Sequence, residues 1–174
     1  ADEIFIAAGY NVSDMLFNVI IIGSVNLLFT LLAMFTVDKI GRKKLMLIGS
    51  AGLAVIYSIL GTFYHLGIQG WPMLLLVVLS IACYASTLAP ITWVVLSEIF
   101  PNRIRGLAMA VATFSLWAAS MLLTFFFPII NNIIQASGSF WLFAIICFVG
   151  FFFIKNKLLE TKGKTLEEIE QEIN

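Results

Sequence analysis

Five apolar runs, at 15–37, 45–64, 71–96, 104–128 and 140–154, take up most of this 174-residue chain, and the middle of each is free of Asp, Glu, Lys, Arg and His. A helix needs roughly 20 apolar residues to cross the hydrocarbon core of a bilayer, and only a helix there satisfies its own backbone. The chain is 61% hydrophobic and 11% charged, where a soluble domain runs near half apolar and about a quarter charged. A chain this short has no interior large enough to bury that much apolar surface, so lipid is its solvent. The sequence therefore predicts an all-α membrane protein of five transmembrane helices, the fifth beginning within 136–139 to reach spanning length.

Orientation follows from the cations. All ten Lys and Arg fall in three places: Lys39 to Lys44, Arg103 with Arg105, and the tail from Lys155 to Lys164. These are every second connection; 65–70, 131–139 and the first fourteen residues carry none. Lys and Arg accumulate on the cytoplasmic side, which predicts an N-terminus outside and a C-terminus inside a cell membrane. Zero net charge and a near-neutral pI give no electrostatic case for a nucleic-acid partner. Cys83 and Cys147 lie in apolar runs, away from CxxC or Cys/His spacing, and read as packing residues; no metal or other cofactor is expected.

The organisation expected is an extracellular end at 1–14 following a missing helix, a transmembrane part at 15–156 and a cytoplasmic tail at 157–174. An odd number of spans with an outside start suits part of a larger protein better than a complete one. In the tail, Thr165 and Glu168 form a capping box, and Leu166, Ile169 and Ile173 recur at helical spacing. That pattern predicts a short amphipathic helix on the cytoplasmic side, the alternative being a solvated acidic tail.

Function is sought among polar residues inside the spans. Gly23, Asn26 and Thr30 share one face of the first span; Ser86, Pro90 and Trp93 share one of the third; Thr113, Trp117, Ser120 and Thr124 share one of the fourth. A neutral hydrogen-bonder beside a mid-span aromatic suits a polyhydroxyl ligand, whose C–H face stacks on the ring while its hydroxyls pair with amides. The competing reading is interhelical glue, worth about 0.6 kcal/mol per bond. Pro90 leaves a backbone carbonyl unpaired and can kink the third span. The stripes Gly106/Ala110 and Ala108/Ala112 allow tight helix contacts under either reading.

Two charged motifs stand at the predicted cytoplasmic ends. One is Asp38-Lys39-Ile40-Gly41-Arg42-Lys43; the other is Ser97-Glu98-Ile99-Phe100-Pro101-Asn102-Arg103-Ile104-Arg105-Gly106. Glu98 at a helix end needs a cation, with Arg42 and Arg105 the natural candidates. Such a cluster can latch helix ends together in one state and release them in another.

A third motif, Glu160-Thr161-Lys162-Gly163-Lys164-Thr165-Leu166-Glu167-Glu168, follows the last span. In this order and spacing the three resemble the signatures of the sugar porter family of the major facilitator superfamily. The likeness is nearest to bacterial xylose–proton symporter-like members, extends to glucose facilitators, and covers essentially the whole chain. It implies the C-terminal six-helix half-bundle of that fold, here with five of its helices. It also implies residue roles. Asn26 matches a sugar-contacting Asn, Trp93 a Trp that stacks on the sugar, and Trp117 a Trp near the pocket. Asp38, Gly41, Arg42, Glu98, Arg105 and Glu160 match a cytoplasmic charge network that steadies the outward-facing state.

The chain departs from the family pattern at several points. Ala89 stands where Gly commonly precedes Pro90, Leu116 where a polar residue precedes Trp117, Ser120 near an Asn position, and Leu159 where Pro usually opens the third motif. The family's Gln-Gln pair and its coupling acid belong to helices outside this chain. The function implied is the C-terminal part of a proton-coupled monosaccharide transporter working by alternating access. Its partners are a small sugar, protons, the N-terminal half and the bilayer. The alternative is a truncated half-transporter serving as a non-transporting membrane binding or scaffold protein. No catalytic constellation points to an enzyme.

Overall fold

A computed structural model of the chain describes residues 12–101 and 103–163, with side chains from Val19 onward except that of Asp38. The tail expected at 165–173 and the first eleven residues lie outside the described residues. Five helices follow in order: α1 (Val12–Ile40), α2 (Arg42–His65), α3 (Trp71–Ser86), α4 (Leu88–Ile99) and α5 (Arg105–Lys157); there is no strand among the described residues. Four stretches are long and apolar enough to cross a membrane: Val19–Val37, Arg42–His65, Trp71–Ile99 and Arg105–Lys157. Side-chain hydroxyls within them do not compete with the helices. Those of Thr36, Ser58, Thr62, Thr92, Ser115 and Thr124 each donate to the carbonyl four residues back.

The helix boundaries have local causes. Between α1 and α2, Gly41 takes φ 101, ψ 148, left-handed geometry open to a residue without a Cβ. α4 stops at Phe100, extended at φ −84, ψ 130, because the residue before Pro101 is driven out of the helical region.

The run predicted as one span at 71–96 is two helices broken at Thr87 (φ −129, ψ −80) and reaching Ile99. Pro90 offers no N–H to the carbonyl of Ser86 and its ring presses on that carbonyl, so the helix yields just before it. The hydroxyl of Thr87 donates to the Cys83 carbonyl at 2.5 Å. Thr87 projects into α2, where a Cβ on Gly49 would lie 2.1 Å from its Oγ1. The break fits because position 49 has no side chain.

α5 runs for 53 residues, which as a straight rod would be about 80 Å long, far more than a bilayer core. It is broken at Gln135, φ 61 and ψ 174. Phe127 and Phe143 stack with ring centroids 6.1 Å apart, although sixteen residues of straight helix would separate them by roughly 24 Å. The chain therefore folds back on itself at Gln135, with arms at 105–134 and 136–157. The connection expected over 131–139 contracts to this one residue, and Pro128 lies within the first arm without ending it. Ser139, 2% exposed, secures the reversal by donating to the Gln135 carbonyl at 3.1 Å and lying 3.4 Å from Asn131 Oδ1.

Two apolar cores join the helices. Ile56, Leu60, Met73, Val77 and Phe140 bind α2, α3 and the second arm of α5, with Tyr64 stacked on Phe140 at 5.2 Å. Val37, Leu45, Ile91 and Val95, with Leu158 against them, bind α1, α2, α4 and the chain that follows α5. Phe35 and Phe114 remain about three-quarters exposed, which costs nothing in a solvent of lipid tails.

Candidate functional site

At one end of the bundle, beside the second core, lie most residues of the three charged motifs. Arg42 opens α2, Glu98 closes α4, and Glu160 and Thr161 follow the last arm of α5. Arg42 Nη2 meets Glu98 Oε1 at 3.1 Å, an ion pair with side chains 15% and 25% exposed. The other carboxylate oxygen, Oε2, accepts from the Thr161 hydroxyl at 2.5 Å, the length of a charge-assisted bond.

Glu160 bonds to the backbone. Its Oε1 accepts the Arg42 amide at 2.9 Å and the Lys162 amide at 3.2 Å. A carboxylate is thereby set at the N-terminus of α2, where unpaired amides and the helix dipole favour negative charge. Gly41 makes room for it, since a Cβ there would lie 2.9 Å from Glu160 Oε2. The Lys162 ammonium donates to the Lys39 carbonyl at the end of α1. Three helix ends are thus tied to one short segment.

The structure divides the predicted charge network. Gly41, Arg42, Glu98 and Glu160 come together. Arg105, one of the two cations expected for Glu98, turns elsewhere: its Nε donates to the Phe100 carbonyl at 3.2 Å, across the turn enforced by Pro101. Its Nη2 is buried with no partner among the described residues. The side chain of Asp38 lies outside the described residues. Thr161 was not singled out from sequence, because a hydroxyl beside an acid in a polar tail has no periodicity or composition to mark it.

The predicted ligand-facing residues lie along the spans and are open. Asn26 is exposed on α1, Trp93 is 42% exposed on α4, and Trp117 is 63% exposed on the first arm of α5. Ala89 and Pro90 are half-buried at the start of α4, and Ser120 is exposed. No hydrogen bond or ring contact joins Asn26, Trp93 and Trp117 among the described residues. The polar groups on these faces bond within their own helix: Thr30 Oγ1 to Asn26 Oδ1 at 3.3 Å, Thr124 Oγ1 to the Ser120 carbonyl at 2.9 Å, Ser86 Oγ to the Cys83 carbonyl at 3.1 Å. A cleft of about 390 Å³ opens elsewhere, between α2 and the second arm of α5, lined by Ala54, Val55, Ser58, Ile59, Ala144, Ile145 and Phe148. Cys83 and Cys147 are free thiols, and no metal-binding cluster occurs among the described residues.

Comparison with known proteins places this arrangement. A family model described as "Sugar (and other) transporter" matches residues 1–173. The arabinose-proton symporter of Bacillus subtilis (strain 168) is 37% identical over 170 residues, covering 97% of this chain and 37% of that protein. The D-xylose-proton symporter of Escherichia coli (strain K12) is 39% identical over 176 residues, covering 98% of this chain and 36% of that protein. Among solved structures, the proton:xylose symporter XylE bound to 6-bromo-6-deoxy-D-glucose matches with a TM-score of 0.88 at 38% identity, covering 95% of this chain and 36% of that one. XylE from E. coli in its inward open conformation matches at 0.84, also with 38% identity, covering 95% of this chain and 38% of that one. The chain spans little more than a third of the length of these relatives, which are transporters and not enzymes. Spanning helices, charged motifs and full-length family match agree: this multi-pass membrane chain belongs to the sugar transporter family of the major facilitator superfamily.

Proposed function

We propose that this chain is the C-terminal part of a proton-coupled monosaccharide transporter that works by alternating access. In this reading it crosses the membrane five times, with the N-terminus outside and the charged end in the cytoplasm. The observation that carries the reading is its likeness, at a TM-score of 0.88, to a symporter holding a glucose analogue. Support comes also from Asn26, Trp93 and Trp117, whose polar edges and rings are exposed and not committed to neighbouring helices. An amide and aromatic plates at mid-membrane depth are the chemistry a neutral sugar needs. A second half of the transporter, rocking against this one, would complete the site near the midplane.

At the charged end, Arg42, Glu98 and Glu160 act as a gate. Their bonds hold α2, α4 and the segment after α5 together in one state, and partial exposure leaves the Arg42–Glu98 pair able to exchange partners in another. The test is uptake of labelled xylose, arabinose and glucose by the complete protein in proteoliposomes, with and without an inward proton gradient. At least one sugar should accumulate, and a protonophore should abolish the accumulation. Trp93→Ala should reduce uptake to background while leaving membrane-inserted protein within about twofold of the parent, since a 42% exposed ring contributes little packing. Undiminished uptake in that variant would count against the pocket assignment.

A further inference from the structure

We propose that Thr161 is a positioning residue that sets the carboxylate of Glu98 for Arg42, and through it the gate at the charged end. The proposal rests on the reading of Arg42 and Glu98 as a gating pair. Thr161 is 3% exposed, although it lies in a non-helical segment after the last span, where a hydroxyl would ordinarily be solvated. Its Oγ1 donates to Glu98 Oε2, and Arg42 Nη2 donates to the opposite oxygen. With one partner on each oxygen, the carboxylate plane is held. With Arg42 alone, it is free to turn about its terminal torsion, which has a broad preference.

Thr161 is itself held from both sides. Glu160 binds the amides of Arg42 and Lys162, and the Lys162 ammonium reaches the carbonyl of Lys39. The contacts close a ring. From the Arg42 amide it passes to Glu160, along the chain to Thr161, through the hydroxyl to Glu98, and back to the guanidinium of Arg42. Arg42 is therefore held at its backbone by Glu160 and at its side chain by Glu98, which Thr161, the next residue after Glu160, holds in turn. A closed ring transmits the loss of any one bond to the others, which a lone ion pair would not do.

The experiment uses the complete transporter in proteoliposomes and compares Thr161→Val, which keeps the shape and removes the donor, with Thr161→Ser, which keeps the donor. Thr161→Val should slow maximal sugar uptake by roughly tenfold, the scale of one hydrogen bond to a charged group, with the sugar KM within about twofold of the parent. Thr161→Ser should restore the rate. In parallel, hydrogen exchange of the peptide spanning 38–45 should speed several-fold in Thr161→Val but not in Thr161→Ser, and adding Thr161→Val to Glu98→Gln should speed it no further. Equal exchange in Thr161→Val and parent would overturn the proposal, as would failure of the serine variant to restore it or a full additional effect on top of Glu98→Gln. The exchange arm needs no sugar. A protein that transports no sugar but shows the expected exchange pattern would refute the transporter reading and leave the role of Thr161 standing.

Discussion

Polar side chains occur in two regions of this chain and are handled in opposite ways. At the charged end, Arg42, Glu98, Glu160 and Thr161 satisfy one another across 56 to 118 residues of sequence. Along the spans, Thr30 turns to Asn26 and Thr124 to Ser120, each within a single helical turn, and the indoles of Trp93 and Trp117 stay open. The first arrangement is a structural device whose parts are worth little apart. The second leaves the fold indifferent to its own polar residues, as suits a surface that meets something outside the chain. Damage should therefore register differently: at the charged end in stability and conformational balance, along the spans in ligand handling alone.

The most severe challenge to that contrast is Gly41→Ala. A left-handed φ costs an alanine about 1–2 kcal/mol, and its Cβ would push on Glu160 Oε2, 2.9 Å away, in the carboxylate whose other oxygen caps α2. Together these predict a loss of about 3 kcal/mol, with a charged-group hydrogen bond contributing part of it, read as a drop in thermal midpoint of the purified protein. A variant as stable as the parent would show that the Glu160 cap contributes nothing.

Glu98→Gln comes next. It keeps an acceptor for Thr161 but removes the charge facing Arg42. The expected outcome is a shift of roughly tenfold in the ratio of inward-open to outward-open molecules, the scale of one charge-assisted bond, measured by pulsed electron-spin distances across the charged end. Sugar affinity within each state should stay constant. An equal loss of affinity in both states would erase the distinction between gate and pocket.

Asn26→Ala should have the smallest effect on the fold. The side chain is exposed and, among the described residues, its bond is to Thr30 on the same helix, so stability should change by no more than about 0.6 kcal/mol, the mean for a hydrogen bond within a membrane bundle. The KM for sugar should rise by several-fold all the same. A large drop in stability with an unchanged KM would move Asn26 from the ligand-facing surface to the structural one.

The spans and their ends were legible because their causes are local. Apolar runs must be helical in lipid, Gly41 permits a positive φ, and Pro101 drives Phe100 out of the helix. Pro90 announced a kink, but its placement at Thr87 depended on the notch that Gly49 leaves in α2, a neighbour 38 positions earlier. The reversal after the fourth span was expected over 131–139, but its contraction to Gln135 alone was not legible. The chain is helical on both sides of it, and neither a Gly nor a Pro occupies the turning residue itself.

Sequence by itself determined that the chain is an all-helical membrane protein of this family, and that acids and bases gather at the ends of its spans. Tertiary structure alone decided how they pair: Glu98 with Arg42 while Arg105 turns to Phe100, Glu160 against the amides at the start of α2, and Thr161 closing the ring. The physical reason is range. Helix formation in lipid is settled residue by residue through the backbone's need for partners. The choice of partner for a side chain is settled only when segments more than fifty residues apart arrive at the same place.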